Sequence, residues 1–344
     1  MHVIVFGAGA LGRIYGVRLA AAGVQVSFVV RPSRLEETYS FVVEQVNGSQ
    51  RRDVIERPRR VDTVPSDATL ILLAVRFDQI DSLRSEPDGE LARALASTSS
   101  APIVVLTPVL APQAEALERA FSRRVVIAMP GVAGYVDDVD DRGVVRYWAT
   151  GLASTLIDDK GAGEPHSMTR DALEVLARRL TNDGLPTRFE RDVPSLNASS
   201  TISFFPLIAA IDAGGGIDGV LGDKDLLDTA LAAAKESEHL AKKLGKPASW
   251  AHTLTRFIGP YTIKPGVALA RRVAPETVRF VERHFGHKLH AQHLAMADTI
   301  RALGRDNGVE MPALDHLLEI MRRKAAHPRS IPAPAPASDG GAAS

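Results

Sequence analysis

Gly7, Gly9 and Gly12 stand in Gly7-Ala8-Gly9-Ala10-Leu11-Gly12, a G-x-G-x-x-G spacing close to the N-terminus. Glycines at those intervals suit a turn that receives a pyrophosphate. The first permits the tight turn, the second lets the main chain approach the phosphates, and the third lets a helix pack closely on a strand. Context gives the motif its meaning. The apolar run Val3 to Phe6 directly precedes it, and a helical pattern from Leu11 to Ala22, stopped by Gly23, directly follows. A helix starting there offers unpaired N–H groups and a positive dipole end to an anion. Gly7, Ala8, Gly9, Ala10, Leu11 and Gly12 are therefore expected to bind a dinucleotide.

Three arginines extend that chemistry. The second strand ends in Val29-Val30-Arg31-Pro32-Ser33-Arg34, with no acid to take the ribose 2′-hydroxyl of NAD. A guanidinium pairs bidentately with phosphate, so Arg31, with Arg34 beside it, suits the 2′-phosphate of NADP. Arg76 follows the apolar strand Thr69 to Val75. Ligands of open parallel sheets bind outside such strand ends.

The elements that must position these residues follow a βαβ rhythm. Val24 to Val30, Thr69 to Val75, Ile103 to Leu106 and Val125 to Met129 read as buried parallel strands, with a helix over Ala111 to Phe121. Beyond Gly131, Val144 to Trp148 and Leu152 to Ile157 read as an antiparallel hairpin, Ser167 to Asn182 as a helix and Thr187 to Arg191 as a strand. From about Asp192 only helical patterns remain: Val193 to Ala213, Lys224 to Leu244, Pro275 to Phe285, Leu289 to Asn307 and Met311 to Ala326. The expectation is an α/β fold: an N-terminal Rossmann doubly wound parallel sheet over 1–191, then an all-helical domain over 192–326. The Pro/Ala/Gly-rich tail 327–344 is expected to be disordered.

The G-A-G-A-L-G motif, the V-V-R-P after the second strand and the segment Leu72-Leu73-Ala74-Val75-Arg76-Phe77-Asp78-Gln79 resemble the ketopantoate reductase (2-dehydropantoate 2-reductase) family, over most of residues 1–326. The resemblance implies NADPH-dependent reduction of a 2-oxo acid held between the two domains. This chain departs from the family at the positions that carry the chemistry. Arg76 stands at a lysine and Thr107-Pro108-Val109 where the family has an N-G turn. Aligning the family's N-P on Phe205-Pro206 puts Asn197 at the catalytic lysine, and aligning on Gly308 to Pro312 puts Gln292 at the substrate-holding glutamate. Neither side chain titrates, and a general acid normally supplies about a hundred- to ten-thousandfold in rate.

Lys288 is the candidate replacement acid. In a continuous helix it lies one turn before Gln292 and shares its face with Phe285, Leu289 and Met296. His284 and His287 are second choices. Steps of three fan His284, His287, His290 and His293 around a helix axis, so no metal site is expected there, and most of the four are expected in solvent. Asn197, Ser199, Ser200 and Ser203 are candidate substrate contacts on the first long helix of the second domain.

Composition narrows the function classes. The chain has 344 residues, 45% hydrophobic and 24% charged, with 41 basic and 41 acidic side chains. That balance gives no electrostatic footprint for nucleic acid or an anionic membrane. The absence of cysteine removes disulfides, thiolate nucleophiles and Cys-ligated zinc. The N-terminal apolar run is too short for a signal peptide and no run of membrane-spanning length is expected, so the expected location is cytoplasmic. Three readings stay open: an NADPH-dependent reductase of a small 2-oxo acid or related carbonyl or imine, a true 2-dehydropantoate 2-reductase, and a non-catalytic NADP-binding sensor or partner protein. A homodimer through the second domain is compatible with each.

Overall fold

The structure, a computed structural model, describes residues 1–48, 50–86, 88–96, 99–121, 123–137, 143–149, 153–245, 262–285 and 287–326. The tail expected to be disordered lies outside them. The chain opens with β1 (His2–Phe6), α1 (Ala10–Ala21) and β2 (Gln25–Val29). Then follow β3 (Phe41–Gln45), β4 (Arg52–Ile55), β5 (Arg60–Val61), β6 (Leu70–Leu73), α2 (Phe77–Ser85), α3 (Glu90–Leu95), β7 (Ile103–Val105), α4 (Ala111–Ala120) and β8 (Val125–Met129). Next come β9 (Val132–Val136), β10 (Val145–Ala149), β11 (Thr155–Asp158), α5 (Asp159–Ala162), α6 (Met168–Asn182) and β12 (Thr187–Glu190). The described remainder is helical: α7 (Val193–Gly214), α8 (Ile217–Gly222), α9 (Lys224–Lys243), α10 (Ile263–Val273), α11 (Pro275–His284), α12 (His290–Asp306) and α13 (Pro312–Ala326).

Eight strands form one sheet in the order β12-β11-β8-β7-β6-β1-β2-β5. The six from β5 to β8 are parallel, and β11 joins β8 antiparallel. β1 lies inside the sheet and is buried on both faces. Val3 and Val5 pack with Ile14 and Val17 of α1, while Ile4 and Phe6 pack with Ile80 of α2 and Leu117 of α4. Burying such an aliphatic side chain stabilises the fold by about 1.5–3 kcal/mol, which is why a strand covered on both sides reads as one continuous apolar run.

A second sheet, β4-β3-β10-β9, covers α1. It corrects the expected hairpin. Val145–Ala149 pairs with β9 and β3, whereas Thr155–Asp158 pairs with β8 and β12, so the two strands belong to different sheets. The fully buried Arg18 of α1 ties the two layers together. Its Nε lies 2.5 Å from Asp183 Oδ2 and its terminal nitrogen donates to Tyr147 Oη at 2.5 Å. Arg51 pairs with Asp53 and Asp183.

The helical part has its own core, in which Ile202, Phe205, Leu226, Ile300 and Leu314 take part. Phe77 of α2 and Leu110 before α4 belong to that core too, so the helical part is seated on the α/β part through buried apolar contact. The expectation of no membrane-length run needs correction: Val193–Gly214 is long and apolar enough to cross a membrane, yet 61% of its apolar window is buried inside the fold, as in the core helix of a globular protein.

Candidate active site at the strand ends

Strand register lines up the ends of the parallel strands. Phe6 is level with Val29 on one side and Leu73 on the other, and Leu73 with Val105. The residues that follow therefore form one row along the carboxyl edge: Arg31 after β2, Gly7 after β1, Arg76 after β6 and Thr107 after β7.

At the centre of the row each glycine has a distinct reason. Gly7 has φ +101, and a Cβ there would lie 2.8 Å from the Ala74 carbonyl oxygen. A Cβ on Gly12 would lie 1.9 Å from the Gly7 carbonyl oxygen. Gly9, the residue capping α1, has nothing within 4 Å of its missing Cβ. No side chain caps that helix start. Two glycines thus close the turn and the third leaves open space above bare N–H groups, which is the shape a pyrophosphate requires. Ala8, Ala10 and Leu11 complete the turn. Arg13, which the motif did not single out, braces it: fully buried, it donates from Nε to Ala8 O at 2.9 Å and lies 4.7 Å from the Phe41 ring centroid.

Arg31 is exposed at the start of a short 3-10 turn that contains Arg34. No hydrogen bond or ion pair to either guanidinium occurs among the described residues. Arg76 caps α2 and folds back on Asp78, its Nε 2.9 Å from Oδ1 and its terminal nitrogen 2.7 Å from Oδ2. Thr107 is buried and its hydroxyl donates to Val75 O.

The helical part meets this edge at the start of α2. Gln292, half-buried in the first turn of α12, accepts the Phe77 N–H on Oε1 at 3.1 Å. One helix face further on, the fully buried Gln113 donates to Asp81 Oδ1 at 2.6 Å and to Thr299 Oγ1 at 3.1 Å, fastening α4 and α2 to α12. The start of α7 is held by Asp158, which accepts from Val193 N at 3.3 Å and Gly161 N at 2.7 Å. Burial raises the Asp158 carboxyl above its ordinary value despite those bonds. Asn197, one turn into α7, is 2% exposed, and its Nδ2 has no partner among the described residues. Ser199 and Ser203 are buried on the same helix and Ser200 is half-buried.

Two expectations about 284–293 change. Helix α11 ends at His284, a 3-10 turn spans His287–Leu289 and α12 begins at His290. Lys288 is exposed in that turn, so it does not continue the face of Gln292 and has no apolar setting. Nor do most of the four histidines lie in solvent. His290 and His293 both place Nδ1 2.9 Å from Oδ2 of the buried Asp212. His284 is 2.8 Å from Gly134 O, stacked on Phe280, and burial pushes its imidazole below the ordinary value. Among the described residues no group of three or more His, Cys, Asp or Glu side chains is arranged to hold a metal ion. Tyr15, a buried phenol in α1, is pushed up to about 12 by burial, against the opposing bond to Thr155. It serves as a packing group.

Residues 3–89 match the family model described as ketopantoate reductase PanE/ApbA. Among curated proteins none matches the sequence. Among solved structures, a PanE/ApbA family ketopantoate reductase from Ralstonia eutropha is 21% identical, with TM-score 0.65 over 94% of this chain and 98% of that one. A D-mandelate dehydrogenase bound to NADH and anilino(oxo)acetate is 16% identical, with TM-score 0.62 over 95% and 98%. A dimeric ketopantoate reductase from Staphylococcus aureus is 13% identical, with TM-score 0.64 over 94% and 98%. Residues 3–89 are thus similar to the ketopantoate reductase (PanE/ApbA) family model, and the chain has the same α/β-plus-helical fold as the solved ketopantoate reductases.

Proposed function

We propose that this protein is an NADPH-dependent oxidoreductase that reduces a small 2-oxo acid or a related carbonyl or imine, with 1–191 binding the cofactor and 192–326 closing the substrate site. The observation that carries this reading is the row of strand ends in which Gly7, Gly9 and Gly12 leave a bare helix start beside Arg31 and Arg34, whose guanidinium groups have no partner among the described residues. NADP fits these residues: the α1 N–H groups and open Gly9 receive the pyrophosphate, Arg31 and Arg34 take the 2′-phosphate, and Arg76 lies one strand further along. When bound, NADPH supplies a hydride.

The chain's own residues then bind and orient. Asn197 and Gln292 present amide donors to substrate oxygen and do not titrate. In this proposal the proton donor is sought first at Lys288, which the structure leaves exposed and off the face of Gln292, and then at His284 and His287. If Lys288 is the donor, Lys288→Met lowers kcat about a hundredfold while leaving NADPH affinity intact; an unchanged kcat passes the role to His284 and His287, and full activity in all three variants assigns the proton to water or to another residue. The reading is tested by NADPH oxidation against a panel of 2-oxo acids, ketopantoate included. Turnover of ketopantoate at a rate comparable with the others favours a true 2-dehydropantoate 2-reductase. Tight NADPH binding without turnover of any acid favours an NADP-binding sensor, a reading that draws on the two non-titrating amides. A cytoplasmic homodimer belongs to the same proposal, which sedimentation at several concentrations tests.

A further inference from the structure

Helices α10 and α11 form a strap from the helical part to the second sheet. Helix α10 buries no residue along its length, so the strap depends on where α11 rests. On one side it is held to α8: Glu282 accepts the Ile217 N–H at 3.2 Å, and Arg271 lies 2.7 Å from Asp218 and 3.7 Å from Glu282. On the other it rests on β9 and β10. Phe280, 4% exposed, packs on Tyr135 and Trp148 with ring centroids 5.5 and 5.9 Å away, and Arg283 lies 2.7 Å from Asp137. His284 completes the contact. Its ring stacks on Phe280 at 5.6 Å, meets Phe285 edge-on at 4.5 Å and places Nδ1 2.8 Å from Gly134 O. A carbonyl only accepts, so Nδ1 carries the hydrogen and Nε2 is the atom left to take a proton. Gly134 also touches α1, where a Cβ would lie 2.6 Å from Ile14 Cδ1.

No carboxylate among the described residues pairs with that ring. Asp137 of β9 is engaged by Arg283 and by Arg146 of β10, each at 2.7 Å. Glu282 faces α8, and Asp212 of α7 holds His293 and His290. His293 of α12 opposes a positive charge at His284, and burial opposes it more strongly, against the bond to Gly134. A cation at Nε2 therefore lacks a counter-ion here and gains water by leaving. We propose that His284 is an acid-released latch: neutral, it clasps the strap to β9, and protonation frees the strap and removes a support of α1, the helix behind the dinucleotide turn. The released ring titrates at its ordinary 6.5. The released state binds the extra proton, so docking is strongest above that value and weakens as pH falls below it. The latch holds whichever group gives the proton in the proposed reduction.

Trp148 reports the contact, and Trp250 is the chain's other tryptophan. In the full-length Trp250→Phe protein, Trp148 emission followed from about pH 8 to 5, the window in which histidine titrates, should change in one step centred below 6.5. His284→Gln on that background keeps an N–H for Gly134 O and does not titrate, so the step should vanish. NADP binding, followed by calorimetry over the same range, should weaken more in the parent than in His284→Gln, by at most about tenfold per pH unit, the limit for one linked proton. A step that is absent, that persists in His284→Gln, or that coincides with loss of the helical circular dichroism overturns the latch. A step without the extra loss of NADP affinity overturns its link to α1. If NADP binds at no pH, the cofactor reading above falls and the emission step alone decides the latch. Should His284→Gln not fold, His284→Phe, which keeps the ring stack, takes its place.

Discussion

The two ends of the candidate site are built on opposite plans. At the candidate cofactor end, six consecutive residues form the turn, and backbone contacts shape it: Gly12 meets Gly7, and Gly7 meets Ala74 at the end of the neighbouring strand. At the substrate end, the groups that meet are far apart in sequence. Gln292 bonds Phe77, Gln113 bonds Thr299, and Asp158 bonds Val193. The first end is fixed by backbone sterics, which leave no room for a side chain at Gly7 or Gly12. The second is fixed by side-chain hydrogen bonds, where a substitution changes polarity before it changes shape.

The sharpest way to break that contrast is to compare glycines within the turn. Gly12→Ala places a methyl 1.9 Å from a backbone oxygen that cannot move without shifting β1 or α1. It should cost about 5 kcal/mol or prevent folding, beyond ordinary overpacking. Gly9→Ala meets nothing within 4 Å and should leave the denaturation midpoint unchanged. Because its methyl would enter the space reserved for the pyrophosphate, NADPH affinity should fall by about tenfold or more, 1.4 kcal/mol per decade. Equal loss of stability in both variants would show that the turn is not divided in this way.

In the helical part, the buried Asp212 is the group whose removal should cost most. It sits between His293 and His290, and leaving buried partners uncompensated typically costs about 3–5 kcal/mol. Urea denaturation of Asp212→Asn reads this directly. Burial alone would raise the carboxyl, but the bonds and charge of His293, then His290, outweigh it and hold it below its ordinary 3.8. A depressed carboxyl contributes stability that is complete above its unfolded value and is lost as pH falls through its folded value. The advantage of wild type over Asp212→Asn should therefore shrink as the pH drops below 3.8. A gap that widens on acidification would reverse the assignment of charge.

The same division explains what could be read in the sequence. The β1–turn–α1 unit was legible because motif, strand and helix are contiguous. So were the long helices, since α7, α9, α12 and α13 each bury a face that recurs at helical spacing. The second sheet was not. Phe41–Gln45 and Arg52–Ile55 alternate weakly and carry charge, although Asn47-Gly48 between them is a turn signal that could have exposed the β3–β4 hairpin. β10 and β11 were read as partners because they are neighbours in sequence, while their real partners are β9 and β3, and β8 and β12. Gln292 was found through an alignment, but its bond to Phe77 depends on how α12 docks on α2, and no spacing encodes that. The clasp of His290 and His293 on Asp212 was hidden for the same reason. The step of three was visible, and the carboxylate on α7 that gathers both rings was not.

Cofactor choice is a smaller and more selective effect. Arg31→Ala removes a charge-assisted contact worth about 1.5–3 kcal/mol, so NADPH should bind roughly ten- to a hundredfold more weakly while NADH is unaffected. Fluorescence titration with both nucleotides checks it. Parallel loss for the two would place Arg31 outside the 2′-phosphate contact and blur the line between the two ends, because specificity would then come from elsewhere in the row.

The smallest effect lies at Arg76, where the two ends touch. Its guanidinium is half-exposed and clasped by Asp78. Such exposed pairs are worth about 0.2–1 kcal/mol, so Asp78→Asn should scarcely move the melting temperature. Binding should respond in the opposite sense. Asp78 places a negative charge where anionic ligands arrive, and it occupies the fork of a guanidinium that would otherwise face them. Its neutralisation should tighten NADPH binding by about two- to fivefold at low ionic strength, with the gain fading as salt shortens the Debye length to about 8 Å near 0.15 M. Weaker binding in Asp78→Asn would give Asp78 the contrary role of holding Arg76 in its productive rotamer. The salt series separates the two cases, because a lost rotamer weakens binding at every ionic strength whereas removed repulsion disappears when the charges are screened.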